Sequence, residues 1–443
     1  MPDATTAAFG LNNLTIATVL FVATYAVIVT EKVNRAIVAL IGAGLMIALG
    51  VLNQEAAIRG IDFNTLGLLT GMMVIVAISR RSGMFQFVAV WSAKKVSARP
   101  WGILVMLTLV TAVFSALLDN VTTVLLIAPV TLLITEELEV NPYPFLFSEI
   151  FASNIGGAAT LIGDPPNIMI GSAVKLSFND FLLNMAPITP LILLITLGVI
   201  YLIWGRQMTA SAQAVARVMS FNEHEAITDV RLLKQSLFVI SLVIIGFVFA
   251  HSLGLEPATV AMGGAALLML LTNIGESAED QSQNVHKGFS EVEWVTIFFF
   301  VGLFILVHGL EQVGLLEILA NKILTYTDGD MTTTALTVLW VSALFSTIVD
   351  NIPFVATMIP LIKSMAPTFG GADNLLPLWW SLALGACLGG NGSLVGASAN
   401  LIVAGIAERS GQRIRFLPFM MIAFPLMLMS IVIASVYVYL RYL

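Results

Sequence analysis

The chain carries the same pair of polar motifs twice, about 230 residues apart. The first copy reads Asp119-Asn120 and then Ser153-Asn154-Ile155-Gly156-Gly157-Ala158-Ala159-Thr160-Leu161-Ile162-Gly163-Asp164-Pro165-Pro166-Asn167. The second reads Asp350-Asn351 and then Ala386-Cys387-Leu388-Gly389-Gly390-Asn391-Gly392-Ser393-Leu394-Val395-Gly396-Ala397-Ser398-Ala399-Asn400. The registers agree in detail. Gly71, Gly83, Ser115, Asp119, Asn120 and Pro129 match Gly302, Gly314, Ser346, Asp350, Asn351 and Pro360 at a constant offset of 231. Gly156, Gly157, Gly163 and Asn167 match Gly389, Gly390, Gly396 and Asn400 at an offset of 233, and Pro190 matches Pro425. Chance likeness between apolar segments would not keep Gly, Pro, Asp and Asn in step, so the chain is an internal duplication.

Both copies sit inside long apolar stretches. Of 443 residues 58% are hydrophobic and 11% charged, with a mean hydropathy of +0.95. A soluble domain has roughly 25% charged residues, and several runs here reach the ~20 residues that span a bilayer. The chain reads as an all-α polytopic membrane protein. Its net charge of −7 is spread without a basic stripe and gives no basis for nucleic-acid binding. The one cysteine, Cys387, allows no disulfide within the chain, and the four histidines lack zinc-ligand spacing, so no metal or cofactor is expected. Residues 1–14 contain no Lys or Arg, so a cleaved signal peptide lacks its basic region and the first apolar segment reads as a retained helix.

Hydropathy divides the chain into a first repeat (1–204), a polar linker (205–235) and a second repeat (236–443). Each repeat contains an interrupted hairpin (101–135; 334–365) and a broken helix (145–175; 377–407). Five crossings per half, about ten transmembrane helices in all, is an odd number per repeat, so the two halves must have inverted topology. With the linker in the cytoplasm, fifteen Lys and Arg fall inside and five outside. That bias orients the chain in an inner membrane with both termini outside.

Unsatisfied backbone groups cost several kcal/mol in hydrocarbon, so a broken segment at membrane depth must face protein or a wet cavity. Gly156-Gly157 and Gly163-Asp164-Pro165-Pro166 break a helix, and Asp164 before Pro165 suits the N-cap of a new one. Asn120 and Asn351 start the second arms of the hairpins. Four half-helix N-termini would then meet, each with free N–H groups and a partial positive charge. Around them stand the candidate substrate ligands Asn120, Asn154, Thr160, Asn167, Asn351, Asn391, Ser393 and Asn400. Such a site suits a small oxygen-bearing solute, neutral or anionic. Asp119, Asp164, Asp350 and Glu149 lie beside the breaks as candidate proton carriers. Asp164 stands out because its mate is Ala397. His308 and Glu311, one turn apart, read as a helix-end pair. In sequence, Lys175 and Lys363 are the cations near the motif pairs, both toward helix ends.

The strings Leu118-Asp119-Asn120-Val121-Thr122-Thr123 and Asn154 to Ile168 resemble the ArsB/NhaD branch of the ion-transporter superfamily, which holds arsenite permeases, the melanosomal P protein and sodium/proton antiporters. The resemblance spans nearly the whole chain. It implies an inverted-repeat transporter whose hairpin tips and helix breaks hold the substrate, with a homodimeric scaffold and a soluble arsenite ATPase as candidate partners. It further implies export of arsenite and antimonite, as neutral trihydroxides, in exchange for protons. Sodium/proton antiport and anion or dicarboxylate transport stay open as alternatives. An intramembrane hydrolase would need a nucleophile and base brought together. The repetition of Asp119 and Asp350 with entire broken-helix motifs argues for transport instead.

Overall fold

The computed structural model describes residues 12–30 and 32–443, so the reading of residues 1–14 falls almost entirely outside the described residues. Among the described residues the chain forms helices and no strand. The first half comprises α1 (Asn13–Val29), α2 (Arg35–Ala48), α3 (Gln54–Arg59), α4 (Phe63–Arg80), α5 (Met84–Lys95), α6 (Pro100–Leu117), α7 (Asn120–Glu137), α8 (Tyr143–Gly157), α9 (Pro165–Val174), α10 (Phe178–Asn184) and α11 (Thr189–Ile203). A short helix, α12 (Ala212–Met219), lies in the connecting segment. The second half repeats the order with α13 (Val230–Ala250), α14 (Pro257–Asn273), α15 (Ala278–Ser290), α16 (Trp294–Gln312), α17 (Leu315–Tyr326), α18 (Met331–Ile348), α19 (Asn351–Lys363), α20 (Leu376–Gly389), α21 (Ser398–Arg409) and α22 (Phe416–Tyr442).

Helix starts fall where the sequence supplies a short polar cap or a proline. Asp62, Asp119, Asp229, Asp330 and Asp350 each accept a backbone N–H of the first turn, and Pro100, Pro165 and Pro257 open α6, α9 and α14. Seven helices are long and apolar enough to cross a membrane, and eight if α10 and α11, bent by 49°, form one span. The expected ten is reached when the hairpin arms α6, α7 and α18 are left out of that count and the shorter apolar α1, α2 and α14 and each broken helix are added as one crossing. α6, α7 and α18 are themselves 18 residues long, so these hairpin arms have the length of full crossings. Leu237, Phe238, Leu242, Ile245 and Phe249 leave one face of α13 apolar and exposed, which suits lipid rather than water.

The halves interlock. α2 packs on α16 and α14 packs on α4, each pair joining one half to the other. Both crossings depend on a matched glycine. A Cβ at Gly71 would lie 2.6 Å from the Ala261 carbonyl carbon, and one at Gly302 would lie 2.6 Å from that of Ala39. The broken helices cross over as well: α9 packs on α19, and α21 packs on α7. α8 passes over α6 at Gly156 against Ala112, as α20 passes over α18 at Gly389 against Ala343. These close approaches bring both breaks and both hairpin tips to one central layer.

Candidate functional site

Each break is stapled to its hairpin by side-chain bonds to backbone carbonyls that recur in the two halves. Ser115 Oγ donates to the Ser153 carbonyl at 2.5 Å, and Ser346 Oγ to that of Ala386 at 2.7 Å. The hydroxyls of Thr160 and Ser393 donate to the carbonyls of Ala116 and Thr347, both at 2.5 Å. Asn167 Nδ2 donates to the carbonyls of Ala158 and Thr160 at 3.2 and 2.9 Å; Asn400 Nδ2 donates to those of Gly390 and Ser393 at 2.7 and 2.8 Å. A helix end leaves its last carbonyls without partners, and these two amides satisfy several of them. Thr160, Ser393, Asn167 and Asn400 therefore hold the broken backbone in shape.

A second set of side chains faces inward. Asn120 Nδ2 donates to Asp164 Oδ1 at 3.1 Å and to Asn154 Oδ1 at 3.2 Å. Asn351 Nδ2 reaches both oxygens of Asp164 at 3.4 Å. Asn154 Nδ2 donates to Asn391 Oδ1 at 3.0 Å and Asn400 Oδ1 at 2.9 Å. Asn120 and Asn351 are the first residues of α7 and α19, and Asp164 stands immediately before α9. With Asn400 in the first turn of α21, four helix N-termini meet around one buried polar cluster. Its members are 0–2% exposed. Asn120 Oδ1 and Asn391 Nδ2, one acceptor and one donor, find no protein partner among the described residues. Buried polar atoms without partners are costly and rare, and here they lie where a solute's hydroxyl groups could complete them.

Three positions break the duplication inside this cluster. Asn154 is matched by Cys387, Asp164 by Ala397 and Asn391 by Ala158. Asp164 occupies the N-cap position of α9 yet makes no capping bond; its carboxylate turns to the two asparagine amides instead. The other three acids are engaged elsewhere. Asp119 caps α7 through Thr122, and Glu149 accepts from Thr131 with its other oxygen unpartnered. Asp350 forms an ion pair with Arg35 at 2.7 Å and accepts from Ser398 Oγ at 2.6 Å.

Arg35 overturns the expectation that the motifs have no cation beside them except Lys175 and Lys363. It opens α2 and lies 315 positions from Asp350, so tertiary contact alone reveals it. His308 Nδ1 pairs with Glu311 at 3.0 Å, and both line a cavity of about 230 Å³ with Asp62 and Lys363. Outside the membrane helices, Lys94 Nζ bonds Glu223 and holds that carboxyl below its ordinary value, tying the connecting segment to α5.

Residues 25–385 match the profile of a family described as citrate transporter, CitMHS. Among curated proteins, an uncharacterised transporter of Mycobacterium tuberculosis is 42% identical over 431 residues, covering 96% of this chain and 98% of its own length. The 46 kDa membrane protein of Mycobacterium leprae is 42% identical over 432 residues, 97% of this chain and 99% of that one. The human P protein is 32% identical over 96% of this chain, which spans 59% of that longer protein. Among solved structures, the YdaH transporter of Alcanivorax borkumensis, described as having an unusual topology, superposes with a TM-score of 0.57 at 14% identity, over 96% of this chain and 98% of that one. That match concerns the fold. The profile and the relatives settle the family: this chain is a multi-pass membrane transporter belonging to the citrate transporter family.

Proposed function

We propose that the chain is a proton-coupled secondary transporter whose solute binds in the asparagine cluster and whose coupling group is Asp164. The observation that carries this reading is the placing of Asp164. It is wholly buried, it receives amide donors from the tips of both hairpins, and no ion pair among the described residues includes it. An uncompensated carboxylate at membrane depth is expensive. Taking up a proton removes that cost, and a change in which side the cluster faces releases the proton elsewhere. The same carboxyl thereby links proton movement to the geometry of both tips.

For the solute, the unpartnered acceptor on Asn120 and donor on Asn391 favour a small neutral molecule with several hydroxyl groups. Arsenite and antimonite as trihydroxides fit that description, and the resemblance to arsenite permeases supports export of these two. Arg35 favours a second reading. A cation beside Ser398 at the cluster's edge suits a carboxylate-bearing solute, in line with the family's description and with the anion alternative. In either case the linker 205–235 faces the cytoplasm of an inner-membrane protein by the positive-inside bias.

The deciding experiment is uptake of labelled arsenite and labelled citrate into everted vesicles, with and without an imposed proton gradient. The preferred reading expects gradient-dependent accumulation of arsenite. Accumulation of citrate alone transfers the site to the second reading, and neither solute moving in either condition removes both.

A further inference from the structure

One tip of the duplicated site is latched and the other is not. Arg35 Nη1 donates to Asp350 Oδ2 and to Ser398 Oγ, each at 2.7 Å, and its guanidinium lies 5.0 Å from the centre of the Phe299 ring. One cation thus joins the start of α2, the tip between α18 and α19, and the start of α21. Among the described residues the first half has no equivalent. Pro257 opens α14 as Arg35 opens α2, Pro165 stands where Ser398 does, and Leu68 stands where Phe299 does. Among the described residues Asp119, the mate of Asp350, bonds only to Thr122 and its own helix start.

The latch separates two spaces. On one side is an open cavity of about 600 Å³ lined by Asn34, Arg35, Thr296, Asp350, Val395 and Ser398. On the other is the sealed asparagine cluster. The partition is one residue thick, because Asn351, next to Asp350, is 2% exposed and donates to Asp164. The ion pair itself is partly exposed, with 26% of the Arg35 side chain and 13% of the Asp350 side chain accessible. A pair at such an edge can be hydrated and opened, unlike one locked in a dry core.

We propose that Arg35 is a positioning residue that closes the second hairpin tip over the polar cluster, so that release of Asp350 from Arg35 admits water and solute from the large cavity. The inference rests on the cluster being the solute's seat, but its test needs no solute. Cys387 is the one cysteine in the sequence, and it is buried with its Sγ donating to Asn167 Oδ1 at 3.4 Å. A thiol shielded from water reacts slowly with small methanethiosulfonates and quickly once wetted. Its labelling rate therefore reports the latch.

The experiment is labelling of Cys387 by aminoethyl methanethiosulfonate in the purified full chain, followed by intact mass. Arg35→Gln and Asp350→Asn should each label about tenfold faster than wild type, equivalent to ~1.4 kcal/mol in the closed–open equilibrium. Arg35→Lys, which keeps the charge, should stay near the wild-type rate. Arg35→Asp with Asp350→Arg should slow labelling again relative to either single change. Wild-type rates in both Arg35→Gln and Asp350→Asn overturn the proposal, as does equal acceleration by Arg35→Lys. If Arg35→Gln does not purify as a monodisperse protein, the labelling rate of Asp350→Asn decides in its place.

Discussion

Asn351 donates to Asp164 across the boundary between the two halves of the duplication, 187 positions away, with its Nδ2 at 3.4 Å from both carboxylate oxygens. This contact, with its counterpart from Asn120, makes the centre of the molecule a shared structure rather than two adjacent copies. A change at either tip is felt by one carboxyl.

The asparagines of the duplicated set divide by what their amide N–H groups hold, Asp164 or broken backbone, although Asn400 also accepts from Asn154, and variants should separate them. Asn120→Ala and Asn351→Ala remove bonds to Asp164 and should lower the transport rate about ten- to a hundredfold, as expected for hydrogen bonds to a charged group. Asp164 can take up a proton once these donors are gone, so their thermal midpoints should fall less than those of the second pair. Asn167→Ala and Asn400→Ala leave carbonyls at the breaks without partners and should cost about 1–3 kcal/mol of stability. Initial-rate transport and thermal unfolding, measured on all four, check the split. Four variants with the same profile would refute it.

The glycines at the helix crossings give a prediction about packing. A Cβ at Gly71 or Gly302 would meet backbone atoms of the facing helix 2.6 Å away. Rigid backbone cannot yield as a side chain can, so Gly71→Ala and Gly302→Ala should each destabilise by ~1–3 kcal/mol. Gly44 on α2 has nothing within 4 Å, and Gly44→Ala should be neutral or stabilising through helix propensity. Unfolding midpoints of the three variants make the comparison.

Lys94 and Glu223 set a pH dependence at the connecting segment. The lysine lowers the Glu223 carboxyl below its ordinary value. A depressed carboxyl stabilises the docked segment above its ordinary value, and that contribution is lost as pH falls through the depressed one. Proteolysis between Met208 and Thr228 should therefore stay slow at neutral pH and accelerate only in acid. Lys94→Gln should be cut faster at neutral pH and lose the acid step. A pH profile unchanged by that substitution would remove the pair from any docking role.

Much of the fold was legible because breaking residues leave a strong mark in apolar sequence. Gly163-Asp164-Pro165-Pro166 located the start of α9, and the constant offsets from Asp119 to Asp350 located the second hairpin. The crossing of α2 onto α16 was not legible, since Gly302 against Ala39 is a contact between the halves and leaves no local pattern. Arg35 was missed for the same reason: at the start of an apolar helix it looks like a positive-inside charge. Thr160 and Ser393 had the right chemistry for ligands, but their hydroxyls are committed to the carbonyls of Ala116 and Thr347. Sequence marks a polar atom and is silent on whether backbone has already claimed it.

The most direct test is transport by Asp164→Asn in proteoliposomes, measured as gradient-driven accumulation and as solute counterflow without a gradient. Asparagine keeps the size of the side chain and cannot carry a proton. Gradient-driven accumulation should disappear while counterflow continues. Accumulation at the wild-type level in this variant would show that protons do not travel through Asp164.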